Sequence, residues 1–488
     1  MILMTLPWLE VACLTALLGS LLASRLRTPW LAWQCSLICA GGVLFCTLMA
    51  WTTYLVTAAP PTASQAWQQA WWGRVVFSCD ALNAPLLSML ALLHFLIILA
   101  TGRAKMRRFS SSWSLASEAL RLAIFGCQLP SVLIPLLSAG TFLGGLELWR
   151  SGRRVRLYVW HMLLFHLFLL AGWFSLPNDP DVPPRAWSCM LLLAALLIRC
   201  GTLPFHCWVI DWFEQASLGN ALLFITPLTG VYATCRLVLP IAPDWMLKSL
   251  GIFSLVTSVY AAAMATIQLQ PRRWFAWLTI SHASLVLMGL ERLTVISLTG
   301  ALALWMAVML SLGGLGLTLR ALEARVGHVS FAQFHGLYHH SPALAVGFLI
   351  MGLAAVGFPG TLGFVAAELL VQGTVASHIG VGLAVIASAA LNGIAVLRAY
   401  FALFTGAQHL STVSLAITPR ERLAILITLA IIHAGGLFPQ PGLQSRYQAA
   451  QLLLQQRSAV RHTVSTASTA APTQRPPETQ LPSSLPPP

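Results

Sequence analysis

Arg199-Cys200-Gly201-Thr202-Leu203-Pro204-Phe205-His206-Cys207-Trp208 and, further on, Gly357-Phe358-Pro359-Gly360-Thr361-Leu362-Gly363-Phe364 each set proline and glycine inside an apolar stretch. Each break also has a charged side chain beside it, Arg199 in the first and Glu368 just after the second. Proline removes a backbone donor and clashes with the preceding turn, so a helix cannot run through either segment undisturbed. At membrane depth such non-helical backbone is tolerated only where protein or a water-filled cavity surrounds it. Two breaks in the two halves of one chain are the sequence pointer to a transporter built from two repeats. An ionisable group inside the bilayer is costly, so Arg199 and Glu368 are read as functional.

The rest of the chain supports a membrane setting. Of 488 residues, 57% are hydrophobic and only 9% are charged. A soluble domain carries about a quarter charged residues, so a soluble enzyme is excluded. Apolar runs of about 20 residues recur throughout, each able to cross a hydrocarbon core of about 30 Å as a helix. They predict about thirteen or fourteen transmembrane helices. The expected spans are 3–23, 30–57, 81–101, 113–129, 130–149, 156–176, 186–203, 217–240, 245–268, 274–290, 293–319, 342–358, 375–404 and 420–438. Pro130 and Pro135 interrupt 113–149, which reads either as two helices or as one kinked helix with a half-helix. The first span is followed at once by Arg25 and Arg27 without an A-x-A site, as a retained anchor would be. After Pro441 a Gln-rich, mildly amphipathic stretch reaches about Ser458, and 461–488 is Ser, Thr, Pro and Gln-rich and is expected to be disordered.

The net charge of +14 is explained by topology, and no nucleic-acid partner is implied. Arg25/Arg27, Arg103 to Arg108, Arg150 to Arg156 and Arg272/Arg273 fall on one side if the helices alternate, and Asn178 to Asp181 and Asp244 on the other. The positive-inside rule then makes the basic loops cytoplasmic and the N-terminus external. The ten cysteines are scattered through apolar segments without a C-x-x-C pair and read as small buried hydrophobes. His328, His335, His339 and His340 share a loop, but their irregular spacing makes no metal site.

Four stretches carry a family resemblance. They are Asp80-Ala81-Leu82-Asn83-Ala84-Pro85-Leu86-Leu87, then Ile198 through Trp208 with Asp211, then Gln268 to His282 (QLQPRRWFAWLTISH), and Gly357 to Gly373 (GFPGTLGFVAAELLVQG). In this order and spacing the chain resembles the proton-conducting, antiporter-like membrane subunits of respiratory complex I. The G-x-P-G-T form and Leu239 to Asp244 resemble the M-type (chain 4) branch. Relatives occur in multisubunit cation/proton antiporters, membrane-bound hydrogenases and inorganic-carbon pumps. The likeness covers roughly residues 75–410.

The resemblance implies an all-α polytopic membrane protein of fourteen conserved helices, with two inverted five-helix repeats each forming half of a proton channel. It divides the chain into N-terminal helices over 1–110, repeats over 111–241 and 245–410, a C-terminal helix and amphipathic segment over 411–460, and the tail. In the family a glutamate on the fifth helix pairs with a lysine on the broken seventh, and redox chemistry lies in a peripheral arm. No catalytic residue, cofactor or metal is therefore expected on this chain.

Several family positions differ here. Arg199 stands where the family has lysine; a lysine can shift its pKa and pass a proton, whereas an arginine stays charged and supplies field only. The fifth-helix glutamate position is Pro130, with only Gln128 polar nearby. The eighth-helix lysine falls near Leu228 or Thr229, and the eleventh-helix histidine near Val308. The twelfth-helix glutamate position is Ala367, with Glu368 one residue later and still expected to face the channel. The proton-path candidates are Arg199, His206, Glu368 and His282, and the helix-breaking residues are Gly201, Pro204, Pro359, Gly360 and Gly363. His94, His161, His166 and His433 lie in apolar spans as structural histidines, and Arg272 and Arg273 mark a membrane boundary.

The leading expectation is a membrane subunit of an NADH–quinone oxidoreductase-like complex that contributes to proton translocation in a bacterial inner membrane. Its partners would be other membrane subunits, protons and the lipid bilayer. The alternatives are an energy-coupling subunit of an inorganic-carbon pump or a multisubunit cation/proton antiporter, and a non-conducting structural paralogue.

Overall fold

A computed structural model describes residues 6–57, 62–102, 110–177, 179, 182–375, 378–407 and 415–470. The basic run Arg103 to Arg108, the residues Asn178, Pro180 and Asp181, and the tail beyond Ala470 lie outside the described residues. Helix is the dominant structure. The helices are α1 (Trp8–Arg25), α2 (Pro29–Thr57), α3 (Thr62–Trp72), α4 (Ala84–Leu99), α5 (Ser111–Gly126), α6 (Pro130–Arg150), α7 (Arg156–Phe174), α8 (Ala186–Cys200), α9 (Cys207–Gln215), α10 (Leu218–Ile225) and α11 (Thr229–Ala233). They continue with α12 (Asp244–Ile267), α13 (Pro271–Leu290), α14 (Val295–Val326), α15 (Pro342–Val356), α16 (Leu362–Val375), α17 (Ile379–Phe404), α18 (Pro419–Leu437) and α19 (Gln440–Ala470).

Eight of these segments are long and apolar enough to cross a membrane unaided, the α10–α11 stretch Leu218–Val238 among them. Reading α4, α5, α13 and α18 and the two broken spans α8/α9 and α15/α16 as further crossings gives fourteen among the described residues. The doubtful stretch 113–149 is resolved as two helices, α5 and α6, with Pro135 inside the second. The multi-pass architecture is therefore the one the composition predicted.

Both predicted breaks are present and are built alike. Helices α8 and α15 are each 15 residues long, and each ends on a left-handed glycine, Gly201 at φ 69° and Gly357 at φ 94°. An L-residue adopts that conformation only at a penalty, which is why glycine stands there. Four spans (α10–α11, α12, α13 and α14) lie between the two broken ones, an even number, so the broken spans cross in opposite directions, as inverted repeats require. The freed backbone is satisfied by protein. At the first break the Trp208 indole donates to the Ile198 carbonyl at 2.8 Å, and Leu203 N–H donates to Thr257 Oγ1 at 3.2 Å. The Leu203–Pro204 bond within this connector is cis. At the second break Thr361 Oγ1 donates to the Phe358 carbonyl at 2.6 Å, and Phe358 N–H donates to Leu353 at 3.0 Å.

A third interruption was not anticipated. The expected span 217–240 stops at Ile225, turns at Leu228 with φ 53°, and resumes as α11 followed by a π-turn over Thr234–Val238. Pro227 forces it: proline cannot continue α10, and its carbonyl accepts instead from the Trp305 indole at 3.1 Å. A second difference is at the C-terminus, where α19 runs on to Ala470, beyond residue 461 where order was expected to end. No proline or glycine intervenes between Gly442 and Pro472, so nothing in the backbone stops the helix earlier.

The bundle is organised around α14. Its 32 residues extend about 48 Å, and 89% of its most apolar window is buried, against 28% for the peripheral α7. Helix α19 bends 73° away from α18 and packs back over the bundle. It is pinned by Arg446, which donates to the Leu82 and Ala81 carbonyls at 3.0 and 2.5 Å, and by Arg457, which donates to the Ala242 carbonyl at 2.6 Å and to Asp244 at 2.8 Å. The Asp80–Asn83 motif closes the turn that leads into α4: each residue's side chain accepts from the other's backbone N–H, at 2.8 and 2.9 Å.

A Cβ at Gly363 would lie 2.1 Å from the Ala354 carbonyl oxygen, whereas one at Gly360 would meet nothing within 4 Å. Gly363→Ala should therefore lower stability by about 1–3 kcal/mol through forced backbone displacement. Gly360→Ala should lose only about 1–2 kcal/mol, through its left-handed backbone. Thermal unfolding of the two variants in detergent tests the order, and a lower melting temperature for Gly360→Ala would contradict it.

Candidate functional site: a buried acid–base chain in the first repeat

Arg199 sits in the last turn of α8, only 7% exposed, with its guanidinium 4.5 Å from the Phe224 ring centroid and 5.7 Å from that of Trp208. It lines a cavity of about 40 Å³ together with Arg121 of α5, Glu147 of α6, Asn220 of α10 and Thr229 of α11. That volume has room for roughly three waters. Glu147 accepts a hydrogen bond from the Asn220 amide across the cavity wall. Arg121 is within electrostatic reach of both Glu147 and Glu118. Glu118 pairs with His94 of α4, both fully buried, and the other ring nitrogen of His94 bonds Ser114 Oγ at 2.7 Å.

His94 and Glu118 are in contact, Arg121 lies within electrostatic reach of Glu118 and Glu147, and Glu147 and Arg199 line the same cavity, so the five follow one another as a series of alternating bases and acids. The spacing on α5 explains the alignment: Ser114, Glu118 and Arg121 follow at four and three residues, so they share one face of the helix. A lone buried charge is costly; Glu118 is offset by His94, Glu147 by the Asn220 amide, and Arg199 by the Phe224 and Trp208 rings. Arg121 Nε and Nη2 have no hydrogen-bond partner among the described residues, and the side chain borders the cavity. Chemically, two carboxylates and an imidazole can exchange protons, while two guanidiniums hold fixed positive charge between them.

The other predicted residues are placed differently. Glu368 is exposed on the outer side of α16, where it accepts from Gln372 of the same helix at 3.1 Å. It does not face a channel or approach Arg199, which corrects the expectation. The reason is the one-residue offset: a step along a helix turns about 100°, and here Ala366 and Leu370 point inward instead. His206 is half-buried at the start of α9, with its ring 5.0 Å from that of Trp277, and does not line the Arg199 cavity. His282 is 2% exposed, with Nδ1 2.8 Å from the Leu278 carbonyl and Nε2 2.9 Å from the Ala355 carbonyl. It thus ties α13 to the end of α15, where the break leaves carbonyls without helical partners. Arg272 reaches Glu323 with two bonds of 2.7 and 2.8 Å, and Arg273 pairs with Glu214, so both serve as anchors.

The second repeat has a different interior. Ser258 Oγ lies 2.7 Å from Ser388 Oγ and 3.2 Å from Ser281 Oγ, and the Asn392 amide donates to Ser281 at 2.9 Å. This network is neutral.

Glu118 and Glu147 were overlooked in the sequence. Glu118 follows a Ser-rich helix start and looks like part of a polar face, and Glu147 stands three residues before Arg150, like an ordinary interfacial residue. The one available signal was the Glu118/Arg121 pair at i,i+3 inside an apolar run. His94, taken as structural, is the partner of Glu118.

Removing one partner from a buried ion pair is the damaging change, and removing both is less so. Glu118→Leu alone should destabilise by about 3–5 kcal/mol, and His94→Leu/Glu118→Leu by less than the sum of the singles. A double-mutant cycle on chemical unfolding measures the coupling, expected at about 0.5–3 kcal/mol; additive losses would show that the two side chains do not interact.

Comparison with known proteins follows from this geometry. Residues 161–392 match the family described as NADH:quinone oxidoreductase/Mrp antiporter, TM. The chain is 27% identical over 190 residues to F(420)H(2) dehydrogenase subunit M of Methanosarcina mazei, covering 38% of each protein. It is 24% identical over 276 residues to NADH-quinone oxidoreductase subunit M of Rickettsia prowazekii, covering 53% of this chain and 56% of that one. The chain thus spans between 38% and 56% of the length of these two curated relatives. In fold it superposes on a chain of the Mrp complex from Dietzia sp. DQ12-45-1b with a TM-score of 0.82 at 18% identity, covering 94% of this chain and 98% of that one. It also superposes on a chain of respiratory complex I from Thermus thermophilus with bound NADH, with a TM-score of 0.78 at 21% identity, covering 92% and 99%. Over residues 161–392 the chain is thus similar to the NADH:quinone oxidoreductase/Mrp antiporter membrane subunits, and its fold is the one shared by chains of complex I and of the Mrp complex.

Proposed function

We propose that this chain is a membrane subunit of a proton-translocating complex of the NADH–quinone oxidoreductase type, in a bacterial inner membrane, and that its first repeat handles the proton. The observation that carries this reading is the buried series His94–Glu118–Arg121–Glu147–Arg199, ending on the cavity beside the broken helix. Proton handling needs groups that titrate and groups that do not. Glu118, Glu147 and His94 are of the first kind; Arg121 and Arg199 are of the second and supply fixed positive charge. A proton arriving at Glu147 weakens its attraction to Arg121 and leaves Arg121 freer to engage Glu118. Displacement of charge at one end of the series is thereby felt at the other.

The reading assigns redox chemistry to other subunits and none to this chain. The partners it implies are further membrane subunits, in keeping with the subunit names of the relatives and the multisubunit complexes among the structural neighbours. A second reading, a non-conducting structural subunit, draws support from the neutral serine–asparagine network in the second repeat and the outward Glu368.

Proton uptake by membrane vesicles bearing the assembled complex decides between them. Glu147→Gln and Glu118→Gln should each lower the rate at least tenfold, the scale of losing a positioned proton-transfer group being about 10²–10⁴. Glu368→Gln should leave the rate unchanged. If both glutamine variants in the first repeat pump at the wild-type rate in normally assembled complexes, the non-conducting reading holds.

A further inference from the structure

Helices α6 and α7 diverge on the lipid-facing side and leave a groove of about 700 Å³ between them, within the range of about 300–1,000 Å³ common for small-molecule sites. Its walls are apolar, with Phe142, Trp149, Val159 and Leu163 lining it and all at least 40% exposed. The few polar groups at its floor satisfy one another: Tyr158 OH donates to the Thr141 carbonyl at 2.6 Å, and Thr141 Oγ1 lies 3.2 Å from His166 Nε2. Along α7 the groove runs from Val155 to His166. At 1.5 Å per residue that is about 16 Å, close to half of a hydrocarbon core of about 30 Å. The groove therefore has the depth of one leaflet.

Its interfacial end carries positive charge. The α6–α7 turn holds exposed Arg153 and Arg154, and Arg156 opens α7, whose first N–H groups point the same way. The turn is ordered by hydrogen bonds from Gly152 N–H to Trp149 and from Arg153 N–H to Leu148, at 3.0 and 3.1 Å. No carboxylate forms an ion pair with these three arginines among the described residues; Asp211 is within electrostatic reach of Arg154. Trp149, 69% exposed, stands where the groove meets the charged turn, the depth at which tryptophan favours the membrane interface.

We propose that the α6–α7 groove binds an anionic phospholipid, with its phosphate at Arg153, Arg154 and Arg156 and an acyl chain along Phe142, Val159 and Leu163. Two observations favour a lipid over a helix of a neighbouring subunit. The groove extends through one leaflet only, whereas a spanning helix would need a surface through both. The unpaired basic turn matches a phosphate and would oppose the basic loops that the positive-inside rule places at the same depth on a neighbour.

The test uses native mass spectrometry of the full-length chain in mild detergent, titrated with dioleoyl-phosphatidylglycerol or dioleoyl-phosphatidylcholine. The wild type should retain the anionic lipid preferentially. Arg153→Gln/Arg154→Gln/Arg156→Gln should weaken phosphatidylglycerol binding about a hundredfold and leave phosphatidylcholine unchanged, and the corresponding triple Lys variant should restore it. Ala139→Trp, which fills the groove without touching the arginines, should weaken both lipids. Equal phosphatidylglycerol retention in the Gln and Lys variants would overturn the proposal. So would displacement of the lipid by equimolar inorganic phosphate, which would reduce the site to a phosphate-binding turn. Cross-linking of a cysteine at position 139 to a neighbouring subunit in the assembled complex would also overturn it. Should the Gln variant fail to fold, the Lys variant and Ala139→Trp carry the same decision.

Discussion

A helix cannot be interrupted inside a bilayer unless something else bonds the backbone groups it releases, and in this protein that requirement organises the surroundings of each break. Gly201 turns α8 out of its axis, and the Trp208 indole takes up the Ile198 carbonyl. Gly357 does the same for α15, and His282 reaches across from α13 to the Ala355 carbonyl. Each seal is made by a side chain from the element that follows or faces the break, so the break and its neighbours fold as one unit. The same constraint acts at Pro227, where Trp305 of the central α14 satisfies the carbonyl. Tryptophan and histidine suit the task because each brings a donor on a ring that packs as an apolar surface.

The breaks in turn decide where charge can reside. Because α8 ends at mid-span, Arg199 can lie at the end of a helix instead of alongside one, on the Phe224 ring and next to a cavity. The carboxylates that balance the local charge come from α5 and α6. A cluster with fixed arginines and titratable glutamates between them differs from one built around a lysine: the arginines cannot pass a proton, so any transfer must use the acids and the imidazole. In the second repeat the corresponding interior is held by hydroxyls and an amide. The two halves share a backbone plan and differ in electrostatics, which is how one fold supports different roles in its repeats.

Arginine is also the structural fastener of this chain. Arg320 donates to the Ile97 carbonyl and Thr101 at 2.9 and 3.0 Å, joining α14 to the end of α4, and Arg446 and Arg457 hold α19 against the bundle. Several of these guanidiniums bond backbone carbonyls more than carboxylates. Helix ends supply such carbonyls in groups, and a planar fork of five donors can reach two at once. The high basic content of the sequence therefore serves topology at the loops and cross-bracing inside.

What the sequence determined alone was whatever depends on local chemistry: the crossing helices from apolar run length, the two main breaks from Gly201, Pro204, Pro359, Gly360 and Gly363, and the family resemblance from ordered motifs. What only the tertiary structure decided was partnership. The fifth-span glutamate was sought where Pro130 stands, while Glu147 lies near the other end of the same helix and faces the cavity. Glu118 became significant once α4 brought His94 against it. Glu368 lost its assignment because a single residue of offset turns a helix face by about 100°. Run length and turn residues act through the backbone next to them and can be read in a line. Which charges meet depends on the rotation of each helix about its axis, and packing against the other helices sets that rotation.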